Sequence, residues 1–132
     1  MHAYDFTIVV PHTKGSLATL AEELGRAKIN IEGLCAVEQN GSVIFHLLTT
    51  DKAATTLAIT KVGYKVTREM EVIVERVENH PGMLGKVTRR LADAGINLTT
   101  AYLATDTRLV LGCESLAALE TAWKELAAVA SR

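Results

Sequence analysis

Residues 15–31, GSLATLAEELGRAKINI, fall on residues 82–98, GMLGKVTRRLADAGINL, when the chain is shifted by 67 positions. Six of the 17 pairs are identical: Gly15/Gly82, Leu17/Leu84, Leu24/Leu91, Ala27/Ala94, Ile29/Ile96 and Asn30/Asn97. An ungapped match of this length is not expected by chance and reads as an internal duplication. Two copies are too few for a solenoid, which needs about three or more units to bury its faces. The duplication is therefore read as two paired domains, residues 1–69 and 70–132.

Outward from the matched stretch, each copy shows the same succession of patterns. In the first, Phe6, Ile8 and Val10 alternate with Asp5 and Thr7, which predicts a half-buried strand. The turn Pro11 to Gly15 leads to Ser16 as the expected N-cap of a helix. In that helix Leu17, Leu20, Ala21, Leu24 and Lys28 follow at helical spacing, with Glu22, Glu23 and Arg26 on the opposite side. Ile29 to Glu38 and Ser42 to Thr49 read as strands joined by Asn40-Gly41, two residues that tolerate positive φ. Asp51 is placed to cap a second helix through Leu57 and Ile59, stopped by Gly63, before a strand at Tyr64 to Thr67.

The second copy repeats the order with strands at Glu71 to Val77, Ile96 to Thr105 and Arg108 to Cys113. Its helices run from Gly82 to Ala94, closed by Gly95, and onward from Ser115. In the latter, Leu116, Leu119, Trp123 and Leu126 line one face, so Trp123 is expected as a core anchor. Tyr64 to Val77 contains no Gly or Pro, so the last strand of copy one is expected to run almost directly into copy two. Ser131-Arg132 stand where a fourth strand of the second copy would begin, and that strand is expected to be missing. The expected fold class is α+β: two ferredoxin-like βαββαβ modules, each an antiparallel sheet with helices on one face. An unpaired edge along Glu71 to Val77 predicts at least a homodimer.

Composition narrows the function by exclusion. The 132 residues are 48% hydrophobic and 22% charged with net charge −1, which is ordinary for a folded domain and argues against disorder. Charges of both signs are mixed along the chain, giving no reason to expect nucleic acid or membrane as a partner. No secretory pattern and no membrane-length apolar run is visible, so a cytoplasmic location is expected. Cys35 and Cys113 sit in apolar strand segments and are read as structural free thiols. The histidines (His2, His12, His46, His80) show no i, i+4 pair and there is no Cys-x-x-Cys, so neither a metal nor a cofactor is expected. Ser16 and Ser42 lack a local base, which leaves no activated nucleophile and no expected catalytic residue.

What remains is the turn Val77-Glu78-Asn79-His80-Pro81-Gly82-Met83-Leu84. Pro is pre-set for a helix start, and Gly82 lets a ligand approach the backbone closely. The first helical N–H groups have no internal acceptor and carry the positive end of the helix dipole, which suits a carboxylate. Asn79 and Asn97 can each donate and accept, as a zwitterion requires. The same residues also describe a plain helix-start turn and a loop cap, and local chemistry leaves both readings open.

Asn79-His80-Pro81-Gly82-Met83-Leu84, followed by Ala94-Gly95-Ile96-Asn97-Leu98 and Tyr102-Leu103, resembles the signature of ACT domains, regulatory modules that bind amino acids. The second copy is similar to the serine-sensing ACT domain of phosphoglycerate dehydrogenases, and the whole layout to small stand-alone tandem ACT proteins. The resemblance implies a ligand at an interface between two modules, held by residues matching Asn79 and Asn97, with His80, Pro81, Gly82, Met83 and Leu84 shaping the turn. The first copy departs from the pattern: His12, Thr13 and Lys14 stand at the positions of Asn79, His80 and Pro81. Gly15, Ser16, Leu17 and Asn30 complete a weaker counterpart.

The function this implies is a non-catalytic sensor that binds a free amino acid and acts in trans on an enzyme or regulator partner. The alternative is a regulatory subunit of an amino-acid-metabolism enzyme whose main role is protein association.

Overall fold

The structure, a computed structural model, describes residues 2–130. In chain order its elements are β1 (His2–Pro11), α1 (Ser16–Arg26), β2 (Gly33–Gln39), β3 (Ser42–Thr49), α2 (Lys52–Lys61) and β4 (Lys65–Arg76). They continue with α3 (Met83–Asp93), β5 (Thr100–Ala104), β6 (Arg108–Gly112) and α4 (Leu116–Ala130). The chain divides into two units, His2–Glu71 and one beginning at Val72. The two short strands expected on either side of residue 70 are one uninterrupted strand, β4, whose residues 65–71 belong to the first unit and 72–76 to the second.

In the first unit the strand order is β2-β3-β1-β4. Antiparallel pairing of β1 with β3 sets Phe6 opposite Leu47 and Ile8 opposite Phe45. These side chains, with Val10, share a face, and Leu20 and Leu24 of α1 and Ala58 and Ile59 of α2 pack on it. Both helices thus cover the same face of an antiparallel sheet, as expected. Each fully buried Leu, Ile or Phe in this layer contributes roughly 1.5–3 kcal/mol. Asn40 and Gly41 take φ of 51° and 80°, so the two-residue turn matches the twist of the strands it joins. Asp51 caps α2 by accepting the Ala54 N–H at 3.0 Å, and Gly63 at φ 80° ends the helix turn. Lys52 Nζ lies 2.8 Å from Glu69 Oε1. That hydrogen bond, together with the Glu69 charge, raises the ammonium above its ordinary pKa.

Four local expectations are corrected here. Ser16 is not the N-cap. Gly15 holds that place at φ 83°, and Ser16 is buried, its Oγ donating back to Thr13 O at 3.0 Å. Glu23 does not face solvent. It lies beside the Leu20–Leu24 stripe and is buried, clasped by Arg26 and by Lys61 at 3.3 Å. β2 starts at Gly33 rather than Ile29, because Lys28 turns at φ 59° and the Ile29 N–H bonds back to Leu24 O. Leu57 is exposed, whereas Ile59 carries the α2 packing.

The second unit has strand order β4-β6-β5, with Ile73 opposite Leu111 and Tyr102 opposite Val110. Ile73, Leu109 and Leu111 meet Val87 and Leu91 of α3 and Leu119 and Ala122 of α4. Trp123, Leu116 and Leu126 pack against this cluster as expected. Ser115 caps α4 by accepting the Ala118 N–H at 3.2 Å. β5 is shorter than the expected Ile96 to Thr105, because residues 96–99 form a loop pinned by the Thr99 N–H to Gly112 O. Among the described residues this unit has three strands; Ser131-Arg132, where a fourth was considered, lie outside them. Cys35 and Cys113 are free thiols, and the buried Cys113 donates to Ser115 O at 3.0 Å. No helix among the described residues is long and apolar enough to cross a membrane.

Candidate functional site

The second-unit turn leaves β4 at Val77, whose N–H donates to Thr107 O at 3.0 Å and ties the turn to the β5–β6 hairpin. The hairpin reverses through Asp106 and Thr107 at φ 58° and 54°. His80 faces acceptors on both ring nitrogens, Glu78 Oε2 and Pro81 O, each at 3.1 Å. Gly82 is the N-cap of α3 at φ 89° and offers no side-chain acceptor. The Met83 N–H finds His80 O at 3.2 Å, so Leu84 and Gly85 are left with uncapped first-turn N–H groups.

Turn, helix start and hairpin enclose a cleft of about 300 Å³. Val77, Glu78, Asn79 and His80 form one wall, and Met83 and Leu84 contribute from the first turn of α3. The opposite wall is Leu103, Ala104, Thr107 and Leu109. Sequence reasoning missed that wall and Glu78. Its residues lie some twenty positions downstream, and only the pairing of β5 with β6 folds them back over the turn. Tyr102-Leu103 was the one signal available. Pro81 and Gly82 shape the turn without lining the cleft.

Asn97 stands elsewhere. It lines a second cleft of about 260 Å³ with Gly95, Ile96, Thr99, Cys113 and Ser115 among its neighbours. Asn79 precedes α3 and Asn97 follows it. Eleven residues at 1.5 Å each put roughly 16 Å of helix between them. Of the second-copy candidates, Asn79, His80, Met83 and Leu84 come together and Asn97 does not. Both asparagines are exposed, and no hydrogen bond within the described residues engages either side chain.

The first-copy turn is consumed by its own hydrogen bonds. The His12 N–H donates to Gly41 O at 3.1 Å, drawing the turn onto the hairpin tip. Thr13 Oγ1 meets Ser16 Oγ at 2.8 Å, and the Tyr64 hydroxyl donates to Ser16 O at 2.8 Å. Asn30 Nδ2 donates to Glu32. Gly15 supplies the left-handed turn, as Gly82 does, while Lys14 and Leu17 are exposed. Among the described residues no group of three His, Cys, Asp or Glu side chains is arranged to hold a metal.

This is an α+β fold of the ferredoxin-like kind, with a small cleft at the start of one helix. Residues 71–128 match the family model of the ACT domain. The same fold occurs in a Bacteroides thetaiotaomicron protein of known structure, at 23% identity and TM-score 0.81 over 95% of this chain and 88% of that one. It occurs also in the regulatory subunit of aspartate kinase from Thermus thermophilus, at 15% identity and TM-score 0.67, covering 93% and 91% of the two chains. The corresponding Thermus flavus subunit gives 18% identity and TM-score 0.60, covering 94% and 91%. No curated protein sequence matches the chain.

Proposed function

We propose that the chain is a non-catalytic regulatory protein that binds a free amino acid in the Asn79 cleft and passes the signal to a partner in trans. The carrying observation is the coincidence of three features in the second unit. An unengaged amide lines a cleft of about 300 Å³, and uncapped N–H groups begin α3 beside it. All of this lies inside the stretch matching the ACT family model. The volume is at the lower end for small-molecule sites, the scale of one amino acid rather than a nucleotide. In this reading the helix start receives the carboxylate and Asn79 donates to or accepts from the α-groups. The chain works as two modules, 1–69 and 70–132, the second binding and the first a scaffold.

Asn79 and Asn97 can touch one amino acid only if they come from two copies of the chain, given the helix between them. The proposal therefore includes a homodimer in which Asn97 of one copy closes the Asn79 cleft of the other. A thermal-shift screen of the full chain against the free amino acids tests the reading, because a ligand that binds only the native state raises the melting temperature. The shift should be lost in Asn79→Ala. If no amino acid shifts the native chain at millimolar concentration, the sensor reading is wrong.

A second reading, a subunit whose main role is association with an enzyme, is favoured by one finding. The two aspartate kinase regulatory subunits are matched over 91% of their own length, so a polypeptide of this size and fold serves elsewhere as a separate regulatory chain. Co-purification with an enzyme in the absence of any ligand response supports this reading over the first.

A further inference from the structure

We infer that the Asn79 cleft selects an amino acid with an aliphatic side chain of leucine or methionine size over hydroxylated and acidic ones; this rests on the sensor reading above. The first observation is the character of the walls. Val77, Met83, Leu84, Leu103 and Leu109 surround the space. Leu84 and Leu103 are 54% and 67% exposed, among the few large hydrophobics of the described residues left so open. Their packing contributes little to the core, yet both border the same cleft. An apolar side chain laid between them removes their exposed surface from water along with its own.

The second observation is what the polar lining groups are already doing. His80 is held between Glu78 and Pro81 O. The Thr107 hydroxyl donates to Asp106 O at 2.7 Å. Asn79 is the lining amide left unengaged, and the α-groups of the ligand need it. A serine hydroxyl there would give up water for, at best, an acceptor on the exposed Glu78 or Thr107, and would bury far less apolar surface than an aliphatic chain. An aspartate side chain would in addition meet the Glu78 carboxylate at the wall. The first copy offers a contrast: Leu17 corresponds to Leu84, but Ala36 stands at the position of Leu103, so the apolar pair is not a fixed property of the repeat.

Calorimetric titration of the full chain with L-leucine, L-methionine, L-serine, L-aspartate and glycine tests the inference. Leucine or methionine should bind about tenfold or more tightly than serine and aspartate, the share expected for an aliphatic side chain buried in an open cleft. Leu103→Asn and Leu84→Asn should each bring the leucine affinity down about tenfold toward that of glycine, so that the leucine-to-serine ratio falls about tenfold or more. Both positions are largely exposed, so the variants should melt as the parent does. Serine or aspartate binding tightest, with binding still lost in Asn79→Ala, overturns the side-chain selection while the sensor reading stands. An unchanged leucine-to-serine ratio in both leucine variants overturns it as well. If none of the five binds, the side-chain selection falls, and the sensor reading falls with it only where the thermal-shift screen against all the free amino acids also shows no response.

Discussion

Mixing two inactive variants should restore binding, if one ligand is held by Asn79 from one copy and Asn97 from another. Asn79 and Asn97 flank opposite ends of α3, about 16 Å of helix apart, a span no single amino acid bridges within one module. Each asparagine would make a hydrogen bond to a charged α-group, and removing one costs roughly 1.5–3 kcal/mol, or about ten- to hundredfold in affinity. Asn79→Ala and Asn97→Ala should therefore each bind weakly alone. In an equimolar mixture allowed to exchange, about half the dimers pair one variant with the other. Such a heterodimer carries one site with both substitutions and one with neither, so about a quarter of all sites regain native affinity. Calorimetric titration reads this directly as a high-affinity stoichiometry near one quarter of the parent value. Absence of recovery, with subunit exchange verified by native mass spectrometry, would refute the two-copy site and confine the ligand to one chain. A silent Asn97→Ala would refute the role of Asn97 and leave the Asn79 cleft alone.

Three further outcomes follow from the local geometry. Asn30→Ala should leave amino-acid binding within a few-fold by the same titration, because the Asn30 amide is already spent on Glu32. Gly82→Ala should lower stability by about 1–2 kcal/mol in denaturant melts, the cost of a side chain at left-handed φ. It should leave ligand binding within a few-fold, since Gly82 does not line the Asn79 cleft. Lys52→Met should remove stabilisation that is complete below the ordinary lysine pKa of 10.5 and fades as pH rises through the raised value. The melting temperatures of parent and variant should accordingly converge at alkaline pH, and a difference that grows there would contradict the sign.

Much of the fold was legible because periodicity and turn chemistry are local. Phe6, Ile8 and Val10 declare a strand by alternation. Asn40-Gly41 declare a hairpin by tolerance of positive φ, and Asp51 declares a cap by its short acceptor. The boundaries that went astray depend on contacts that local pattern does not encode. Ile29 and Ile96 look like strand residues because they are β-branched and apolar. Each instead closes a helix end, its N–H bonding back to Leu24 O or Leu91 O, and packs beside the core from a loop. Glu23 looks solvent-facing because it is charged, but Lys61 from α2 and Arg26 from its own helix supply cations that make its burial tolerable.

The candidate site was half legible for the same reason. Its turn wall is contiguous in sequence and carries its own chemistry in Asn79, Pro81 and Gly82, whereas the hairpin wall of Leu103, Thr107 and Leu109 reaches the turn only through pairing of β5 with β6. The internal similarity itself misled in a further respect. It equates Asn30 with Asn97 and the His12–Lys14 turn with Asn79–Pro81, yet two small differences separate the copies. Glu32 gives Asn30 a partner, where Thr99, at the matching position, turns its hydroxyl to Gly112 O instead. Ser16, in place of Met83, gives the first turn a hydroxyl that bonds Thr13 and Pro11 O. A polar group that has found a partner inside the protein has less to offer a ligand. Similar stretches of sequence thus build a similar glycine-led helix start in both halves, while the unengaged amide, the apolar walls and the cleft come together in the second.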